Sequence, residues 1–80
     1  MEAMYDKIDD LYSQIKELYS DRIVVLRDME NDPDIEIGGD EIADKYGEQL
    51  NKIDDKISEL NNKITTIQTK IKHINKLFNT

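Results

Sequence analysis

The stretch YGEQLNKIDDKISELNNKITTIQTKIKHINKLF, residues 46–78, decides the fold. Its apolar positions run Tyr46, Leu50, Ile53, Ile57, Leu60, Ile64, Ile67, Ile71, Ile74 and Phe78, in steps that alternate four and three. That is the a/d heptad pattern, with Leu50, Ile57, Ile64, Ile71 and Phe78 at a and Tyr46, Ile53, Leu60, Ile67 and Ile74 at d. No polar residue interrupts it. The spacing predicts one long amphipathic helix from about residue 40 to 78, roughly 58 Å long at ~1.5 Å per residue.

Upstream, Met1, Met4, Ile8, Leu11, Ile15, Leu18, Arg22, Val25 and Met29 keep the same spacing and predict a first helix over about residues 2–30. A further column, Tyr5, Tyr12, Tyr19 and Leu26, recurs every seventh residue beside that seam. It widens the apolar face from two positions in seven to three. A two-position face suits one partner helix, whereas a three-position face suits two neighbours. The other reading of the column is that the tyrosines lie along one partner with their hydroxyls in water. Both readings are open at this level, and Tyr5, Tyr12, Tyr19, Arg22 and Leu26 form the candidate interaction face.

Between the helices lies the turn, about residues 31–39: Asn31-Asp32-Pro33-Asp34-Ile35-Glu36-Ile37-Gly38-Gly39. Pro33 disfavours helix at Asp32, Gly38-Gly39 interrupts the helical pattern, and Asp40 is a good N-cap. Asp32-Pro33 can also cap a short helical turn ending at Gly38, and Ile35-Glu36-Ile37 can be a short extended piece. A connection this short makes the helices antiparallel neighbours, so the expected fold is all-α, an antiparallel two-helix coiled-coil hairpin. Heptad phase pairs residues whose numbers total about 75. Ile8 then meets Ile67, Leu11 meets Ile64, Ile15 meets Leu60, Leu18 meets Ile57, Val25 meets Leu50, Met29 meets Tyr46, and Met4 meets Ile71. Arg22 is the one polar residue of the first seam; its stem packs while its head reaches a carboxylate such as Asp54.

The composition agrees. In 80 residues, 36% are charged and 38% hydrophobic, with no Trp and a single Phe, a mix suited to long helices. At this size one domain is expected, residues 1–80 as a single hairpin module. The absence of Cys removes disulfides and thiolate zinc sites. No apolar run has bilayer length, and the acidic N-terminus does not read as a signal peptide, so an intracellular setting and no membrane contact are expected.

The net charge of −7 is uneven: −3 over residues 1–20, −8 over 21–59 and +4 over 60–80. The acidic middle opposes a polyanion, so direct nucleic-acid binding is not expected. The antiparallel choice lays Asp6, Asp9 and Asp10 beside Lys70, Lys72 and Lys76. Those lysines and Lys63 lack interleaved aromatics, which leaves nucleic-acid association through them a lesser alternative.

Catalytic chemistry finds little footing. His73 is the sole histidine and falls on an outer heptad position, with no Cys to pair with it. Gly38-Gly39 is an isolated pair, not a phosphate loop. Asp32, Asp34, Glu36 and Asp40 imitate the start of a calcium loop. The turn glycine position, however, holds Ile37 and the bidentate acid position holds Ala43. No enzyme activity, cofactor, metal or small-molecule substrate is expected.

Two long helices joined near Asp32-Pro33-Asp34, with Arg27 shortly before it and Lys56-Ile57-Ser58-Glu59-Leu60 in the second helix, resemble the N-terminal coiled-coil hairpin of hantavirus nucleocapsid proteins. Residues 35–39 and the acidic spacer depart from that pattern. The resemblance implies an N-terminal segment of a longer protein, located in host cytoplasm and virion. It also implies a role in contacts between nucleocapsid subunits, with RNA held elsewhere. The expected function is therefore protein–protein interaction or oligomerisation with protein partners, self or other subunits. The alternative is a standalone acidic helical regulator or chaperone-like protein of a phage or bacterium that binds one protein target.

Overall fold

The structure, a computed structural model, describes residues 2–34 and 40–78. Two helices account for nearly all of them: α1, Glu2–Asn31, and α2, Asp40–Phe78. The boundaries lie within a residue of those that periodicity and Pro33 predict. They pack as an antiparallel hairpin with extents of 65 × 17 × 12 Å. The expected turn conformations at residues 35–39 lie outside the described residues.

The end of α1 follows from local chemistry. Pro33 keeps Asp32 out of helical geometry. The Asp32 N–H then donates to the Met29 carbonyl at 3.3 Å, a last tightened turn. Asp32 Oδ1 accepts from the Asp34 N–H at 2.9 Å, closing an Asx turn. At the other side of the connection, Asp40 and Glu41 stand in the first turn of α2 and Lys76 in its last, which complements the helix dipole.

Register is fixed by side chains that meet across the hairpin. Arg22 reaches Asp54 and Asp32 reaches Tyr46, pairs whose numbers total 76 and 78. Further along, Leu11 shares a shallow cleft with Lys63 and Ile67, and Met4 shares one with Lys70 and Ile74. These agree with the register expected from heptad phase.

The core comprises Ile8, Leu11, Ile15, Ile57, Leu60, Ile64 and Ile71, with Met4, Leu18, Ile53 and Ile67 packed against it. It is centred away from the turn. Toward the turn, Val25, Met29, Tyr46 and Leu50 are only half-buried, although they continue the same heptads. The seam is therefore continuous in sequence and graded in burial. Two helices cover only the stripe where they face, so a seam residue is sealed only where large apolar neighbours flank it on both strands of the contact. Arg22 opens one such layer. Polar ties replace burial at that end.

Candidate interaction face

Heptad geometry gives the hairpin two flanks. On one, Lys7, Gln14 and Asp21 of α1 face Lys56, Lys63 and the rest of that column of α2. Shallow clefts open there over Leu11, Leu18 and Leu60. On the other stand Tyr5, Tyr12 and Tyr19. Their exposures are 49%, 50% and 52%. Each is therefore about half open to water.

That column does not end with the tyrosines. Ile23 is 55% exposed and lies four residues after Tyr19, with half-buried Leu26 three residues further on. Tyr12, Tyr19, Ile23 and Leu26 thus form one outward stripe. Tyr5, Tyr12, Tyr19, Arg22 and Leu26 are the residues expected on this face from sequence, and Ile23 is an addition to them. The signal was present, because 19, 23 and 26 repeat the helical i, i+4, i+7 spacing. Val24, also about half exposed, lies to one side of this stripe.

Arg22 belongs to the hairpin's own contacts. Its Nε donates to Asp54 Oδ1 at 3.1 Å, and the two side chains are 39% and 50% exposed. The stem packs in the seam and the head stays wet, so the guanidinium keeps its hydration and no buried charge is left uncompensated. Of the remaining seam residues named from sequence, Ile8, Leu11, Ile15, Ile57, Leu60, Ile64 and Ile71 are buried, Leu18, Ile53 and Ile67 pack half-buried against them, and Val25 and Leu50 are half-buried.

At the turn, Tyr46 Oη donates to Asp32 Oδ2 at 2.7 Å. The hydrogen bond from Tyr46, then that from the Asp34 N–H, holds the Asp32 carboxyl below its usual range. The same bond, followed by loss of hydration and the negative charges of Asp32 and Asp28, pushes the Tyr46 phenol up to about 12. Sequence reading assigned Tyr46 to the seam and Asp32 to the helix stop; the bond between them needs the hairpin register to be seen.

At the basic end the antiparallel order brings Lys70 beside Met4, but among the described residues that placement does not produce ion pairs across the hairpin. Lys63 and Lys56 both lie 3.7 Å from Glu59 of their own helix. Among the described residues, Asp6, Asp9 and Asp10 form no ion pair with Lys70, Lys72 or Lys76. Long side chains on opposite flanks of a coiled coil do not reach one another, whereas i, i+3 and i, i+4 neighbours do. Thr66 and Thr69 turn their hydroxyls back to the carbonyls of Asn62 and Thr65 at 2.9 Å, which leaves their methyl groups outward. His73 is exposed beside Lys72 and Lys76.

Among the described residues, no group of three or more His, Asp or Glu is arranged to hold a metal ion. No helix among the described residues is long and apolar enough to cross a membrane. The chain matches no family model, no curated protein and no solved structure.

Proposed function

We propose that the chain is a protein–protein interaction module that assembles through the outer stripe of α1. The supporting observation is the half-exposure of Tyr5, Tyr12 and Tyr19 in one column on a hairpin whose own core is already closed by Leu11 and Leu60. Tyrosine suits such a surface: it offers a large apolar ring and a hydroxyl that tolerates water before binding. The reading assigns no catalysis, cofactor or small-molecule substrate to the chain. Its most specific form is subunit assembly in a viral nucleocapsid, which rests on the resemblance in Asp32-Pro33-Asp34 and Lys56-Ile57-Ser58-Glu59-Leu60.

The test is sedimentation and light scattering across concentration, with Tyr12→Glu as the surface variant and circular dichroism as the control for folding. The expected result is mass that grows with concentration in the parent chain and not in a still-helical Tyr12→Glu. Association unchanged by Tyr12→Glu overturns the assigned face. A parent chain that stays monomeric removes self-assembly and leaves the single-target regulator.

A further inference from the structure

Resting on that reading of the stripe, we propose that its occupant is α1 of a second copy, antiparallel to the first, so that two hairpins form a four-helix bundle. The first argument is angular. At ~100° per residue, the stripe of Tyr12, Tyr19, Ile23 and Leu26 is centred roughly 90° around α1 from the seam positions of the same stretch, Ile15, Leu18, Arg22 and Val25. A helix with two apolar faces near a right angle has the geometry of a four-helix bundle member.

The second argument is charge. Each copy carries −7, so any pairing of copies works against repulsion unless opposite charges meet where the helices touch. Beside the stripe runs the column Asp6, Ser13, Ser20 and Arg27, seven residues apart. All four are exposed. Among the described residues, Asp6 and Arg27 form no ion pair with another side chain of the chain. A parallel pairing sets Lys16 on Lys16 within the contact and leaves the Asp6 and Arg27 columns on opposite sides of it, so neither charge is answered. The antiparallel pairing sets each Asp6 against Arg27 of the second copy, twice by symmetry, and brings Ser13 to Ser20. The small serines at the middle let the helices approach. In the same register Tyr12 stacks on Ile23 of the second copy, and Tyr19 meets Lys16, an aromatic face for a cation.

The third argument is area. Half of each tyrosine, at the ~200 Å² such a ring buries, with Ile23 added, gives about 400 Å² per copy. Flanking stems bring the total to about 1,000 Å², which places the dimer at the weak end of specific interfaces.

The chain has no cysteine, so introduced thiols report pairing without interference. Ser13→Cys and Ser20→Cys chains are mixed in equal amounts in a glutathione redox buffer, and the disulfide products are separated. The expected result is a mixed Ser13→Cys/Ser20→Cys dimer in excess over both like-with-like dimers by at least about fivefold. Like-with-like products in excess, or a statistical mixture, overturn the antiparallel register. As a second arm, Asp6→Arg and Arg27→Asp each weaken self-association by about tenfold, and the double exchange restores it. No restoration overturns the charge pairing. If Tyr12→Glu abolishes association while the thiol pattern is like-with-like, the surface stands and this arrangement falls. If association survives Tyr12→Glu, both fall.

Discussion

Tyr46 and Asp32 close the hairpin at its turn: the phenol donates to a carboxylate whose other oxygen already holds the Asp34 N–H. One side chain thereby orders the end of α1 and ties it to the first turns of α2, in the region where the apolar seam is only half-buried.

This pair makes stability pH-dependent at both extremes, with opposite signs. The Asp32 carboxyl is lowered in the folded chain from 3.8, so its contribution is present above that value and is lost as pH falls through its folded value. The Tyr46 phenol is raised from 10.0 to about 12, so its contribution is present below 10.0 and is lost as pH rises toward about 12. Tyr46→Phe removes both. The expected outcome is a lower melting temperature for Tyr46→Phe at neutral pH. Its difference from the parent shrinks below pH 3.8 and again between pH 10.0 and about 12. A difference that is flat across pH contradicts the bond.

Leu11 and Leu60 are each 2% exposed and sit at the centre of the core. Leu→Ala at such a site costs about 2–5 kcal/mol. A core of this size supplies about 3–5 kcal/mol in total. Either substitution therefore leaves the isolated hairpin largely unfolded at room temperature by circular dichroism. Leu50→Ala, at a half-buried a position, leaves it folded with a lower midpoint in urea.

Gly47 lies inside α2, and a Cβ placed on it meets nothing within 4 Å. Gly47→Ala removes backbone entropy from the unfolded chain and adds a helix former at no steric cost. The expected gain is about 0.5–1 kcal/mol, read as a rise of about 4 °C in melting temperature.

The Arg22–Asp54 pair is substantially exposed on both sides. A double-mutant cycle with Arg22→Met and Asp54→Asn gives a coupling under about 0.5 kcal/mol at physiological salt. Arg22→Met alone is neutral or slightly stabilising, because it converts a wet layer of the seam into a packed one. The pair's contribution is to the register, and a hydrogen-exchange profile of residues 22–30 and 46–54 reads any slippage.

Ile53 through Ile71 announce their helix in sequence because a heptad seam is a one-dimensional signal. Each residue's face follows from its number alone. The stop at Asp32-Pro33 is equally local, since a proline acts on its immediate neighbour. The register was legible too, as two seams and one short turn leave little choice. Ile23 is hard to see in sequence because the dominant seam masks a second stripe about 90° away.

The sequence by itself determined two amphipathic helices, their antiparallel order, and a tyrosine column beyond what one partner helix needs. Those properties depend on spacing and on one proline. Only the tertiary structure decided which seam positions are sealed. Leu11 and Leu60 are closed while Leu50 is not, because burial depends on neighbours from both helices at once. It also decided that Asp32 belongs to Tyr46, fourteen residues away. Among the described residues Lys70, Lys72 and Lys76 form no ion pair with the acidic N-terminus, while Lys56 and Lys63 find Glu59 on their own helix, because reach across a coiled coil is set by flank and distance, not by net charge along the chain.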